Sequence, residues 1–250
     1  MYFEKQSNLT HIFLIMKRIL ILFFVLASAF AVAQKSLFTP QQMPNSVFFL
    51  PPPPDTASMA FKYDISQYYW GKEQRKDSAR VAMALRDAVW SLSTICTEFS
   101  LPFGMEISEK GTPAIYNFLK ASIDAADQAR ILPKAHYMRI RPYVYFNEAT
   151  IYPEDEEELR TNGSYPSGHT IRGWTAALVL LEVNPDSANA LLARGYEFGQ
   201  SRVIAGYHWQ SDVDAARLVA SSAVARMQAD ERFQKLMNKA RKEYNKLRCR

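Results

Sequence analysis

The sequence predicts an all-α fold, a single helical bundle preceded by a proline-rich extended N-terminal arm. Apolar residues recur at spacings of three and four from about Ser78 onward, which is the pattern of amphipathic helices. Helix start signals follow along the rest of the chain. No alternating pattern of convincing length indicates a strand. The chain has 250 residues, 48% apolar and 22% charged, and we therefore expect one core and about six to nine helices joined by short loops.

The N-terminal residues 1–33 are predicted to be a signal peptide. Lys17 and Arg18 precede an apolar run from Ile19 to Leu26, and a small-residue cleavage motif, "AVA", ends at Ala33. We expect cleavage after Ala33 and initiation at Met16, with a long basic region as the alternative. The apolar run is shorter than the roughly 20 residues that a spanning helix needs. The mature protein is thus expected to be periplasmic or secreted, without stable membrane insertion.

Residues 34–77 form the predicted arm. The stretch "SLFTPQQMPNSVFFLPPPPDTAS" is rich in proline, which has no N–H to donate in a helix interior or a strand ladder. We expect this segment to be extended along the surface and to lead into the helical domain, which would occupy residues 78–250.

The helices of that domain are predicted in order. The first carries Val81, Leu85, Ala88, Val89 and Leu92 on one face. The others are predicted in "TPAIYNFLKASIDAADQARIL" after a Thr-Pro start, in "NPDSANALLARGYEFGQSRVIAG" with Asn184 as N-cap and Pro185 at the first helical position, in "SDVDAARLVASSAVARMQAD", and in the basic C-terminal tail.

Net charge and cysteines constrain the function little. The formal net charge is +5, and removal of residues 1–33 leaves 27 basic and 24 acidic residues, a net charge of +3. Lysines and arginines are not interleaved with aromatic residues except in the tail, whose cations suit a helix end, so we expect no nucleic-acid partner. Cys96 and Cys249 could pair in an oxidising compartment, and the sequence leaves this open.

A tight turn in "GSYPSGHT" is the first candidate site. Gly163, Pro166 and Gly168 permit a sharp bend before a helix expected to begin near Ile171, so unpaired backbone N–H groups should converge there. Such a helix start attracts phosphate. The alternative is that Ser167 only caps the helix and His169 is a satisfied core histidine.

Two further clusters have matching chemistry. In "KAHYMRIRP", Lys134 and Arg141 are seven residues apart and would share a face if the segment were helical. In "SRVIAGYHWQSD", Arg202 precedes His208, and Asp212 follows His208 by four residues, one helical turn, so that its carboxylate could hold an imidazole N–H. Ordinary surface charges are the alternative for each pair. The acidic run "YPEDEEELR" is predicted to be a loop or a short helix, with metal binding as the less favoured alternative.

Together the clusters supply the parts of a phosphoryl-transfer site, namely cations, backbone donors, an oriented nucleophile and an acid. The three segments resemble the tripartite signature KxxxxxxRP, PSGH and SRxxxxxHxxxD of the type-2 phosphatidic acid phosphatase (PAP2) superfamily. The stretches "FLPPPP", "YMRIRP" and "NGSYPSGHT" are similar to the secreted class A bacterial nonspecific acid phosphatases in particular. The signature positions are Lys134, Arg141, Pro142, Pro166, Ser167, Gly168, His169, Ser201, Arg202, His208 and Asp212.

The resemblance implies a helical, cofactor-free and vanadate-inhibited acid phosphatase that acts on phosphate monoesters of broad range. Whether it also transfers phosphate to alcohols is left open by the sequence. It implies catalytic roles for His208 as nucleophile, His169 as acid and Asp212 as the orienting carboxylate. It also implies that five residues bind the phosphate: Lys134, Arg141, Ser167, Gly168 and Arg202. Relatives make a homo-oligomer plausible.

The proposed roles also carry an expectation for pH. His169 must be protonated and His208 neutral, and Asp212 is expected to raise the pKa of His208, so we expect an acidic optimum. Three alternatives remain: a vanadium-dependent haloperoxidase, a membrane lipid phosphatase, which would carry several spanning helices that the mature sequence lacks, and a non-catalytic phosphate-binding protein. None of the four histidines has the paired spacing of a zinc motif, and His136 is expected to be structural.

Overall fold

The computed structural model describes residues 36–249, and within this range all regular secondary structure is helical. The predicted signal peptide therefore lies outside the described residues. The predicted all-α fold is confirmed. The α-helices in chain order are α1 Met59–Gln74, α2 Ser78–Ala88, α3 Leu92–Phe103, α4 Pro113–Asp127, α5 Ile131–Tyr137, α6 Pro142–Phe146, α7 Glu156–Leu159, α8 Gly168–Val183, α9 Ala188–Ala205, α10 Gln210–Gln228 and α11 Glu231–Arg248.

The eleven α-helices described exceed the expected six to nine because three short ones, α5 to α7, carry no long apolar repeat that a sequence pattern could show. Helix α8 lies at the centre of the core and packs against α9, α10, α4 and α3. Its sequence is apolar around most of its circumference, which suits a helix covered on all sides. Helix α11 packs on α4, and α9 also contacts α1 and α2.

The predicted extended arm requires a correction, because residues 59–74 of that segment form helix α1. The prolines end at Pro54, and Ser58 caps the helix by accepting a hydrogen bond from the backbone N–H of Phe61 at 3.1 Å. Phe61 and Tyr68, two turns apart, are buried in one aromatic cluster with Trp209. Packing against α10 therefore overrides the weak helical pattern, and α1 joins the helical bundle.

The first predicted amphipathic helix is also interrupted. Helix α2 ends at Ala88, and α3 begins at Leu92 after the cap Ser91, whose hydroxyl accepts from the backbone N–H of Thr94 at 3.0 Å. The three residues between the helices place Trp90 beside the candidate site. A serine cap thus divides a segment whose apolar spacing is continuous.

Asn184 differs from its predicted role as a helix cap. It precedes the 3₁₀ turn Pro185–Ser187, and α9 begins after that turn. Its side chain donates instead to the carbonyl of Phe103 at 2.8 Å and so ties α3 to the start of α9.

The two cysteines are both free thiols, one buried in the core at Cys96 and one exposed at Cys249. No helix among residues 36–249 is both long and apolar enough to cross a bilayer.

Candidate active site

A cavity of about 200 Å³ opens where the α2–α3 connection, α5, the α6–α8 segment and the loop before α10 meet. Five of the predicted site residues line it, and they are Lys134, Arg141, Gly168, His169 and His208. The other three, Ser167, Arg202 and Asp212, are fully buried. The structure thus brings cations and both histidines from distant parts of the sequence to one cavity.

Helix α8 begins at Gly168 and not near Ile171 as expected, because Ser167 is its cap. The Ser167 hydroxyl accepts from the backbone N–H of Thr170 at 3.4 Å and from its hydroxyl at 2.9 Å. Ser167 therefore caps the helix. Its own hydroxyl hydrogen takes no part in these bonds, and Gly168 and His169 lie in the first turn, whose N–H groups lack helical acceptors.

Gly168 lies against two side chains that a β-carbon at this position would crowd. A β-carbon at this position would lie 3.0 Å from Cδ of Arg130 and 3.4 Å from the ring of Trp90. Because Gly168 has no side chain, its backbone is exposed to the cavity at this wall.

His169 is held in one orientation by its Nε2 atom, which lies 2.9 Å from the carbonyl oxygen of Ala88. Since a carbonyl can only accept, Nε2 carries a proton and Nδ1 is the nitrogen left for chemistry. The ring packs edge-on against Trp90, with 4.6 Å between centroids. Burial, followed by the charges of Arg202 and Arg172, holds the pKa of His169 well below its usual value.

His208 is held by both ring nitrogens. Nδ1 lies 3.3 Å from Oδ2 of Asp212 and 3.2 Å from the hydroxyl of Ser164, while Nε2 lies 3.1 Å from Nη1 of Arg141. Because a guanidinium only donates, Nε2 accepts and the proton resides on Nδ1, facing the carboxylate. Helix α10 begins at Gln210, so His208 precedes it, and Asp212 reaches back from the first turn. The imidazole is thus presented with an unprotonated Nε2.

The expected rise in the pKa of His208 is wrong in direction. Burial, followed by the charges of Arg141, Lys134 and Arg202, holds this pKa well below its usual value. Three cations outweigh one carboxylate. The Asp212 carboxylate also accepts from Arg139 at 2.6 Å, which draws its charge away from the imidazole.

Lys134 and Arg141 do not share one helical face as predicted. Helix α5 ends at Tyr137, Met138 adopts a left-handed conformation with φ of 43°, and Arg141 precedes α6. The break still brings both cations to the cavity, where burial lowers the pKa of each. The charge of Arg141 lowers the pKa of Lys134 further, whereas that of Asp212 opposes the effect of burial on Arg141. Both are held by uncharged backbone carbonyls: Lys134 by that of Gly163, and Arg141 by those of residues 159 and 162.

Arg202 is fully buried, and none of its three guanidinium nitrogens has a hydrogen-bond partner among residues 36–249. The guanidinium carbon lies 4.6 Å from the ring centroid of Tyr207. Burial lowers the pKa of Arg202 to about 10, which still leaves the group charged at neutral pH. Its charge lowers the pKa values of both His169 and His208. An unpaired buried cation of this kind is a site for an anion.

Several site residues were missed by the sequence analysis. Arg139 and Ser164 both bind the Asp212 carboxylate, and each lies within a segment that carries the resemblance, which could have drawn attention to them. Trp90 and Arg130 line the cavity without any sequence signal. His136, by contrast, is exposed and lies outside the cavity lining.

The acidic run forms a 3₁₀ turn, Pro153–Asp155, followed by helix α7. Asp155 and Glu158 lie at the cavity, opposite in charge to the cations. Within the described part of the chain, no group of three or more His, Cys, Asp or Glu residues has the geometry to hold a metal ion.

The helical bundle and its cationic cavity with two oriented histidines are suited to a phosphatase, and comparisons with known proteins support that class. A sequence model of the PAP2 superfamily matches residues 115–230. A non-specific acid phosphatase of Providencia stuartii is 47% identical over 82% of each chain. One of Salmonella typhimurium is 47% identical over 83% of each chain, and an acid phosphatase of Zymomonas mobilis is 35% identical over 82% of this chain and 77% of its own.

The chain belongs to the PAP2 superfamily and, within it, to the non-specific acid phosphatases.

Proposed function

We propose that this phosphatase hydrolyses phosphate monoesters of broad range through a phosphohistidine formed on Nε2 of His208, without a metal ion. The observation that carries the proposal is the orientation of His208. Asp212 engages Nδ1 at 3.3 Å, and Nε2 faces Arg141 at the cavity, unprotonated and adjacent to cations. A nucleophile held by a carboxylate on its far side is the arrangement that nucleophilic catalysis requires.

In the first step, Nε2 of His208 attacks the phosphorus atom, a P–N bond forms, and the ester P–O bond breaks. The leaving alkoxide takes a proton from Nδ1 of His169, because Nε2 is committed to the carbonyl of Ala88. The low pKa of His169 makes it a strong acid, and a bound phosphate dianion would favour its protonated form.

In the second step, His169 accepts a proton from water as the water oxygen attacks phosphorus. The P–N bond breaks, inorganic phosphate leaves, and His208 regains its neutral form. An alcohol that reaches the phosphohistidine could take the place of water, which would give a phosphate ester in place of free phosphate. Phosphotransfer is therefore part of the proposal.

The negative charge on the equatorial oxygens would be met by Lys134, Arg141 and Arg202, together with the Ser167 hydroxyl and the Gly168 N–H. Preorganised donors of this kind contribute on the order of 10²- to 10³-fold each. Arg202 supports this role most strongly because its buried nitrogens lack partners among residues 36–249. An anion in the cavity would supply those partners.

The relatives named as non-specific acid phosphatases support substrates that are small phosphate esters. We also propose export of the protein to the periplasm or medium, on the basis of the predicted signal peptide. Removal of residues 1–33 during export would be visible by mass spectrometry of the secreted chain. Homo-oligomerisation is a prediction that light scattering would test.

The test is hydrolysis of p-nitrophenyl phosphate at about pH 6 with EDTA present, comparing the parent with His208→Ala. The matched control is His136→Ala, which removes an exposed imidazole outside the cavity lining. We expect full activity in the parent and control and none in His208→Ala. Rapid quenching with labelled substrate should trap an acid-labile, base-stable phosphoryl group on the parent and on the control but not on His208→Ala.

Loss of activity in EDTA would contradict the metal-independent mechanism. Vanadate, which adopts the five-coordinate geometry of the transferring phosphoryl group, should inhibit the parent. If the folded parent is inactive with phosphate esters but oxidises halide with vanadate and peroxide, the haloperoxidase alternative replaces the proposal. If it only binds phosphate, the non-catalytic alternative does.

A further inference from the structure

The Asp212 carboxylate is fixed by more than the histidine it orients. Its Oδ2 atom faces His208 and accepts from the Ser164 hydroxyl at 2.5 Å and from the backbone N–H of Trp209 at 2.9 Å. Its Oδ1 atom accepts from Nη1 of Arg139 at 2.6 Å. Because Arg139 engages the far oxygen, it sets the plane of the carboxylate and directs Oδ2 toward the imidazole.

Arg139 is in turn held by a second buried carboxylate, Asp64 of helix α1. Nη2 of Arg139 donates to Oδ2 of Asp64 at 2.7 Å, and both carboxylates are fully buried. Burial opposes the charge on Arg139, but the charges of Asp212 and Asp64 outweigh burial and raise its pKa. The guanidinium is therefore a fixed bridge between two anions.

Asp64 also binds the chain directly before Asp212. Its Oδ1 accepts from the backbone N–H of Ser211 at 2.8 Å, and its Oδ2 accepts from the Ser211 hydroxyl at 2.6 Å. The same hydroxyl accepts from Arg139 at 2.7 Å. Asp64 thus holds both the side chain that fixes the Asp212 carboxylate and the backbone from which Asp212 projects.

We propose that Asp64 is a positioning residue for the nucleophile, acting through Arg139 and Ser211 on Asp212 and thereby on His208. Asp64 lies on α1, outside the range 115–230 matched by the superfamily, so the inference adds an element that the three-part signature does not contain. It rests on the proposed function, since it assumes that His208 attacks phosphorus.

In this proposal the charge of Asp64 acts on Arg139 electrostatically, in addition to the hydrogen bonds that Asp64 accepts. It offsets part of the Arg139 charge, so that Asp212 keeps its negative charge available to the Nδ1 proton of His208. Without it, Arg139 would pair with Asp212 alone, and the carboxylate would be a weaker acceptor. The imidazole would then be a less well oriented and less basic nucleophile.

The experiment compares Asp64→Asn with Glu73→Gln, a matched control that removes a carboxylate from the exposed side of the same helix. Misplaced catalytic groups cost up to about 100-fold, so we expect kcat for p-nitrophenyl phosphate to fall on the order of 10- to 100-fold in Asp64→Asn. The KM should change little because the cations that hold phosphate are untouched. The control should keep parent activity.

Two inhibitors separate positioning from general disruption of the cavity. Inorganic phosphate needs only the cations, whereas vanadate also needs a bond to Nε2 of His208. Asp64→Asn should therefore weaken vanadate inhibition by about the same factor as kcat and leave phosphate inhibition nearly unchanged. Equal weakening of both inhibitors, or parent-like kcat and vanadate inhibition, would overturn the proposal.

Further variants keep the test decisive if Asp64→Asn does not fold. Ser211→Ala removes one hydroxyl from the same network and should give a smaller loss with the same vanadate selectivity. Arg139→Lys, which keeps the charge, should retain more activity than Arg139→Gln. Parent-like vanadate inhibition in folded Ser211→Ala and Arg139→Gln would overturn the proposal. Failure of the proposed function is distinguishable, because then His208→Ala would keep the activity of the parent.

Discussion

Arg202 gives the sharpest prediction, because stability and activity should respond to its substitution in opposite directions. Arg202→Met removes a buried charge whose nitrogens have no partner among residues 36–249. An uncompensated buried ion costs several kcal/mol, whereas the stacking on Tyr207 that is also lost contributes about 2 kcal/mol at most. We expect the phosphate-free variant to be more stable by about 1 kcal/mol, a rise in Tm of roughly 2–4 °C.

The same substitution should impair phosphate binding and catalysis. Hydrogen bonds to charged groups contribute about 1.5–3 kcal/mol each, so the loss of two amounts to about 3–6 kcal/mol. At about 1.4 kcal/mol per factor of ten, kcat/KM should fall on the order of 10²- to 10⁴-fold. The increase in Tm that millimolar phosphate gives the parent should largely disappear in Arg202→Met.

The matched control is Arg194→Met on the same helix, α9. The Arg194 guanidinium donates to the carboxylates of Asp87 and Glu98, and Asp87 is fully buried. Its removal leaves a buried carboxylate without its cation and should destabilise the fold by about 3–5 kcal/mol. Thermal unfolding in phosphate-free buffer measures both variants. If Arg202→Met lowers Tm as Arg194→Met does, the buried guanidinium is compensated and the reasoning fails.

Three further predictions concern the acid and the core. Burial, followed by the charges of Arg202 and Arg172, lowers the pKa of His169. Because the acid must carry a proton, kcat/KM should fall as the pH rises through that pKa. In a pH–rate profile, Arg172→Gln should move this fall in kcat/KM to higher pH. His169→Ala should slow the hydrolysis of an alkyl phosphate on the order of 10²- to 10⁴-fold. It should slow the hydrolysis of p-nitrophenyl phosphate far less, because nitrophenolate is a good leaving group that needs no proton. Equal losses with the two substrates would contradict the role of His169 as the acid. A β-carbon at Gly173 would lie 2.5 Å from the ring of Phe198, so Gly173→Ala should cost about 1–3 kcal/mol in urea denaturation without changing KM.

Most residues of the candidate site could be identified from sequence because they are concentrated in three short segments. His208 and Asp212 are four residues apart, and that separation brings a carboxylate to an imidazole even though the histidine precedes the helix. Ser167 and Gly168 determine a helix start by local rules of capping. These two local predictions agree with the structure, whereas the Asn184 cap and the shared helical face of Lys134 and Arg141 do not.

The network behind the site could not be predicted, because it depends on neighbours in space. Asp64 is 75 residues from Arg139 and 147 from Ser211, and its helix carries a weak apolar pattern within a proline-rich region. The pKa of His208 was predicted in the wrong direction for the same reason. A sequence shows the carboxylate four residues away but not that the fold buries the ring and gathers cations around it.

The structure separates two kinds of buried charge, and the separation has a mechanistic reason. Arg139 is paired with two carboxylates outside the cavity, where a compensated ion pair fixes geometry and has no need of a ligand. At the cavity, Lys134 and Arg141 donate to uncharged carbonyls. The fully buried Arg202, whose charge acts on both cavity histidines, has no hydrogen-bond partner among residues 36–249. Cations left uncompensated in this way are costly in the free protein and become favourable only when an anion binds. The same charges therefore reduce the stability of the free fold and supply the attraction for phosphate, and the paired network allows the nucleophile to remain oriented in both states.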